Sequence, residues 1–100
     1  MNIEDNMAIQ PDEIKGQIDR SCKALLTMTA AERKNVPNQH FIDNYNNLLK
    51  LAKDSFPEAS NDRWPPEITD TANYIEILAY LEQCSQILSE GVEPFFGVMG

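Results

Sequence analysis

The sequence is poor in the residues from which catalytic and metal sites are usually built. It contains one histidine, His40, and two cysteines, Cys22 and Cys84, which are far apart and belong to no CxxC or Cys/His cluster. Zinc and thiol-redox sites depend on such clusters. We therefore predict no metal, no cofactor and no enzymatic activity. We expect both cysteines to be reduced and buried as small apolar residues.

Glycine and positive charge are also scarce. The four glycines are scattered, and none contributes to a GxGxxG or Walker pattern, so a glycine-rich phosphate-binding loop is excluded. Eight Lys and Arg residues stand against sixteen Asp and Glu residues, for a formal net charge of −8. A chain this acidic repels the phosphates of nucleic acids and anionic lipids. We predict no direct nucleic-acid partner and no membrane partner.

The negative charge is concentrated in the C-terminal half of the chain. Residues 55–100 carry eight acidic side chains and one cation, Arg63. Excess carboxylates on a small protein commonly serve only to keep it soluble. A second interpretation is an acidic decoy, which would occupy the nucleic-acid site of a basic protein with carboxylates in place of phosphates.

Long apolar runs are missing as well. No uninterrupted apolar stretch approaches the roughly 18 residues that a membrane span needs, and the first ten residues lack the pattern of a secretory signal. We therefore expect a cytoplasmic protein. A length of 100 residues predicts a single helical domain over residues 1–100. Within it we predict a flexible N-terminus at residues 1–10 and a C-terminal tail at residues 91–100.

The first part of the chain has a helical period with clear start signals. Pro11 suits the first position of a helix, and apolar residues recur from there at three- and four-residue spacing. This pattern predicts a helix over residues 11–28. Thr29 and Glu32 then have the spacing of a capping box, which predicts a short additional helix.

Two further long helices are predicted. Pro37 ends the short helix, and Asn38 offers the N-cap of a helix over residues 38–54. Residues 55–66, with three prolines, predict a long connection. A run of good helix formers then predicts the longest helix, over residues 67–89. The predicted fold class is all-α: a small three-helix bundle with an additional short helix and an irregular apolar C-terminal tail.

The candidate partner-binding residues fall into two groups. Four form a second apolar line on the last predicted helix, and the others are large aromatic residues close to proline, where the backbone is rigid. The set comprises Trp64, Ile68, Ala72, Ile75, Ala79, Phe95 and Phe96. The alternative is that Trp64 caps the bundle and that the two phenylalanines fill a groove of the same chain.

The function that these patterns favour is a non-enzymatic protein–protein interaction module: a small regulatory, adaptor or assembly protein, with a homodimer as one form. The first alternative is the acidic decoy described above. The second is a small-ligand-binding helical protein with an interhelical pocket that uses His40, Tyr45 or Tyr74.

Overall fold

A computed structural model describes residues 10–92 of the chain. In this range four α-helices follow one another, and no strand occurs. The helices are α1 (Pro11–Leu26), α2 (Ala30–Arg33), α3 (Gln39–Ser55) and α4 (Tyr74–Ser89), with one 3-10 helix at Asn61–Arg63 between α3 and α4. The predicted all-α fold and small helical bundle are confirmed. The predicted N-terminal segment up to residue 9 and the tail from residue 93 onward lie outside the described residues.

The helices begin where side chains can satisfy free backbone N–H groups. The Thr29 hydroxyl accepts from the Glu32 amide at 3.1 Å, and the Glu32 carboxylate accepts from the Thr29 amide at 2.7 Å, which completes the predicted capping box. Asn38 caps α3 by accepting from the Phe41 amide at 2.9 Å. These local signals are independent of tertiary packing, which is why the starts of α2 and α3 were predictable.

The long helices are not all antiparallel. The Ser85 hydroxyl donates to the Asp19 carboxylate at 2.6 Å, and the Glu82 carboxylate lies close enough to Cys22 for its charge to raise the pKa of that thiol. Since the residue number rises on one helix as it falls on the other, α1 and α4 are antiparallel. In contrast, α3 and α4 are parallel.

The parallel arrangement of α3 and α4 follows from aromatic and backbone contacts. Near the start of both helices, the rings of Phe41 and Tyr74 meet edge to face with centroids 5.2 Å apart. At the other end, the chain leaving α4 passes so close to Phe56 that a Cβ added to Gly91 would lie 2.9 Å from the Phe56 ring. Gly91 does not adopt a positive φ, so this close approach, and not a left-handed helix cap, is the reason for glycine here.

Residues 56–73, which we call the strap, connect the end of α3 to the start of α4. The prediction of a helix from residue 67 is wrong, because α4 begins only at Tyr74. The strap has to return along the bundle, and α4, with 16 residues, is about 24 Å long at 1.5 Å per residue. An extended chain covers that distance with about seven residues, so the strap, residues 56–73, is long enough to include the 3-10 helix at Asn61–Arg63 as well.

Side chains of α3 and α4 hold the strap in place. The Tyr45 hydroxyl donates to the Pro66 carbonyl at 2.9 Å, and the Gln83 side chain donates to the Arg63 carbonyl at 2.6 Å. The Asn46 side chain bonds both backbone groups of Ile68, each at 2.9 Å. These bonds replace the hydrogen bonds that a helix would have made.

One hydrophobic core joins α1, α3, α4 and the strap. Its most deeply buried side chains are Ile14, Ile18, Tyr45, Ile77, Leu81, Cys84 and Leu88. The strap adds Trp64, Ile68 and Ala72, each less than a tenth exposed. The strap is therefore a part of the core, although it contains little regular secondary structure.

Candidate functional site

Three large apolar side chains are exposed in the described part of the chain. Leu26 is 55% exposed, Val36 56% and Ile75 45%. Single exposed apolar residues are normal on protein surfaces, but several at one place indicate an interaction site. Whether these three residues form an interaction site therefore depends on whether they lie together in the fold.

All three residues lie at the same end of the bundle, and we call them the end patch. The Tyr74 amide donates to the Asn35 carbonyl at 3.1 Å, so Val36 and Ile75 directly follow two bonded residues. Leu26 is the last residue of α1, which ends where the antiparallel α4 begins. The Arg33 side chain donates to the Leu25 carbonyl at 3.4 Å, so the connection over α2 is bonded both to the end of α1 and to the start of α4.

Charges of opposite sign flank the end patch. Lys34 lies two residues before Val36 and is exposed. Glu76 directly follows Ile75, is also exposed, and completes the capping box of α4 by accepting from the Asn73 amide at 3.1 Å. The side formed by the α2 connection is therefore cationic, and the side formed by the start of α4 is anionic.

The structure divides the predicted partner-binding residues into three groups. Trp64, Ile68 and Ala72 are buried in the core of the chain itself, which corrects the expectation that they form a surface. The physical reason is that the strap is not helical, so these residues do not share a helix face with the others. Ile75 and Ala79 are exposed on α4. Phe95 and Phe96 lie outside the described residues.

Sequence reasoning missed Leu26 and Val36. Leu26 directly follows Leu25, which belongs to the buried face of α1, so the apolar period gives Leu26 no separate signal. Val36 stands between polar residues and Pro37, and an apolar residue in such a turn is a signal that could have been noticed. Since Pro37 is buried and Val36 is exposed, the turn orients the two neighbours in opposite directions.

The two cysteines are free thiols, and both are buried, as predicted. Burial raises the pKa of Cys22 to about 11, and the negative charges of Glu82 and Asp19 add to this effect. Burial likewise raises the pKa of Cys84 to about 12, with a further contribution from Cys22. Thiols with such pKa values contain almost no thiolate at neutral pH and are poor nucleophiles.

The largest groove that we describe is polar and open. It has a volume of about 510 Å³ and runs between α1 and α4. Burial alone would raise the pKa of the Asp19 carboxyl in this groove, but hydrogen bonds from Lys15 and Ser85 and the charge of Lys15 outweigh it, so that pKa lies below its ordinary value. Lys15, Asp19 and Ser85 therefore satisfy one another and do not form a free set of groups for a ligand.

The side chains suggested for a ligand pocket do not come together. His40 is exposed near the start of α3. Tyr45 is buried with its hydroxyl bonded to Pro66, and its burial raises its pKa well above the usual range. Tyr74 packs on Phe41 at the end of the bundle. Nothing in these positions joins the three residues into one site.

Acidic residues are likewise spread over the surface. Between residues 10 and 92, no group of three or more His, Cys, Asp or Glu side chains is placed to hold a metal ion. Glu58, Asp62 and Glu67, the acidic residues around the strap, are all exposed. No helix in the same range is long and apolar enough to cross a membrane.

Comparison with known proteins adds no relative. No protein-family model matches this chain, and no curated protein and no solved structure matches it either. The function of the end patch therefore has to be argued from its own residues.

Proposed function

We propose that the protein is a non-enzymatic, cytoplasmic protein–protein interaction module of the regulatory, adaptor or assembly kind, and that it binds through the end patch. The observation that carries this proposal is the exposure of Leu26, Val36 and Ile75 at one end of the bundle. Most other large aliphatic side chains of the helices are in the core or packed against it.

Covering apolar surface with a partner lowers the free energy of the system. The decrease is about 25 cal/mol for each Å² removed from water. A patch of a few aliphatic side chains with a charged rim resembles the core and rim of small protein interfaces. The neighbouring pair of Phe41 and Tyr74, both partly buried, gives this end a rigid aromatic support.

Affinity capture with a matched pair of variants tests the proposal. The purified chain is immobilised and exposed to an extract of its source cells, in parallel with the double variant Val36→Asp, Ile75→Asp. The control is Asn47→Asp, Gln86→Asp, which adds the same two negative charges at exposed positions of α3 and α4 outside the end patch. We expect partners to be retained by the chain and by the control, and to be lost from the end-patch variant.

Salt dependence separates this proposal from the acidic decoy. Capture by a decoy depends on many carboxylates, so it should weaken steeply as salt rises and should survive the end-patch substitutions. Capture through an apolar patch should persist in high salt. Retention of the same partners by the end-patch variant would contradict the proposed function.

A further inference from the structure

The end patch has the charge layout of a surface that can bind itself. We infer that its occupant is a second copy of this chain, related by a two-fold axis, and this inference rests on the interaction function proposed above. The apolar centre of the contact is Val36 with Ile75, and Lys34 of each copy faces Glu76 of the other.

A two-fold contact uses the same patch twice, and a residue on one side of the axis meets the residue that lies across the axis in the copy. A patch with one sign of charge would repel itself. Here Lys34 lies on the α2 side and Glu76 on the α4 side, and the bond between Asn35 and Tyr74 fixes the two sides next to each other. A two-fold axis that passes between Lys34 and Glu76, perpendicular to the line that joins them, therefore brings cation to anion on both sides.

The charge of the whole chain favours this end over other surfaces for self-association. Each copy carries a net charge of −8, so two copies repel each other at most orientations. The end patch lies where the cations of the α2 connection meet the acidic C-terminal half. A second copy can be accepted here with opposite charges paired, whereas two acidic surfaces of residues 55–100 would repel.

Sedimentation equilibrium of the full-length chain from micromolar to millimolar concentration tests the inference. We expect a monomer–dimer equilibrium. Val36→Asp should abolish the dimer over this range, because a charge would be buried without a partner at the centre of the contact. Lys34→Glu should weaken the dimer about tenfold, since it creates two like-charge contacts.

The decisive variant combines Lys34→Glu with Glu76→Lys. Exchange of both charges restores the opposite pairing, so the double variant should dimerise more tightly than Lys34→Glu alone. Damage to the fold cannot produce such a rescue, and circular dichroism verifies the helix content of each variant. Lys50→Glu, at an exposed position far along α3 from this end, is the matched control and should leave the dimer unchanged.

The possible outcomes separate this inference from the proposed function. A chain that is monomeric at every concentration, a dimer that survives Val36→Asp, or a double variant that keeps the helix content of the original chain but shows no rescue overturns the second-copy inference. If the chain is monomeric but the end-patch variant still loses a captured partner, the interaction function stands and only the second-copy inference fails. If neither self-association nor capture depends on the end patch, both fail.

Discussion

The two connections between the long helices of this protein are built in opposite ways. The connection from α1 to α3 joins neighbouring ends of antiparallel helices and leaves Val36 on the surface, whereas the strap joins parallel helices and buries Trp64, Ile68 and Ala72. A connection between neighbouring ends can stay outside the core. A connection that has to run the length of the bundle crosses its apolar surface, and its own apolar side chains are then needed to cover it.

Substitutions in the two regions should therefore have different effects. Substitutions in the strap should change the free energy of unfolding, because the strap residues are buried and bonded. Substitutions in the end patch should change association and leave stability almost as it was. The following predictions test this difference from the largest expected effect to the smallest.

Replacement of Trp64 by Ala should have the largest effect. Trp64 is 7% exposed, and loss of a buried tryptophan costs about 3–5 kcal/mol of unfolding free energy. Urea denaturation followed by circular dichroism measures the loss. Trp64→Phe should cost clearly less, because most of the apolar contact is kept. A loss near zero for Trp64→Ala would show that the strap is not part of the core.

Asn46→Ala should lower the free energy of unfolding by about 2 kcal/mol, since it leaves the amide and the carbonyl of Ile68 without their partners. Asn47→Ala is a matched control, because Asn47 is the next residue of α3 and is exposed. Equal denaturation midpoints for the two variants would contradict the anchoring role of Asn46.

Tyr45→Phe should cost about 1 kcal/mol. The substitution keeps the buried ring and removes only the hydrogen bond to the Pro66 carbonyl. Because Pro66 is itself exposed, water can replace part of this bond, which limits the loss. A cost as large as that of Trp64→Ala would mean that the hydroxyl, and not the packing, holds the strap.

The ion pair between Arg63 of the strap and Glu90, just after α4, should have a smaller, pH-dependent effect. Hydrogen bonds from Arg63, at 2.9 and 2.6 Å, lower the pKa of Glu90 below its ordinary value of 4.5. A depressed carboxyl pKa contributes stability above the ordinary value and loses that contribution as the pH falls through the depressed pKa.

Arg63→Gln should therefore remove part of the decrease in stability between neutral pH and about pH 3. Denaturation at a series of pH values measures it. Since both side chains are exposed to solvent, high salt should reduce the difference between the variant and the original chain. A difference that grows with salt would contradict the assignment.

Val36→Ser should have the smallest effect on stability, within about 0.5 kcal/mol, because Val36 is exposed. The measurement belongs at low protein concentration, where the proposed dimer is dissociated. A cost like that of Asn46→Ala would mean that Val36 supports the fold and would weaken the case for an interaction surface.

Much of the fold was predictable because its signals are local. Pro11 marks a helix start through its fixed φ, and the Thr29–Glu32 capping box and Asn38 mark helix starts through bonds to residues three positions away. The apolar period of α1 and α3 identifies their buried faces. The start of α4 also has a local signal, the capping box of Asn73 and Glu76, which the prediction of a helix from residue 67 overlooked. The path of residues 67–73 is non-local, because the backbone of Ile68 bonds to Asn46 of α3.

The candidate site was less predictable than the fold. Of the proposed surface residues, only Ile75 belongs to the end patch, while Trp64 is buried in the core. Hydrophobicity alone cannot separate an exposed apolar residue from a buried one. Exposure depends on which elements lie next to each residue, and for Val36 this depends on the contact between the α2 connection and the start of α4.

By itself, the sequence determined the helical class, the caps, the acidic balance and the burial of Cys22 and Cys84, because each follows from residue type and short-range spacing. Only the tertiary structure decided the parallel direction of α3 and α4, the extended path of the strap and the meeting of opposite charges around Val36 and Ile75. These features depend on contacts between residues far apart in the chain, which no local pattern specifies.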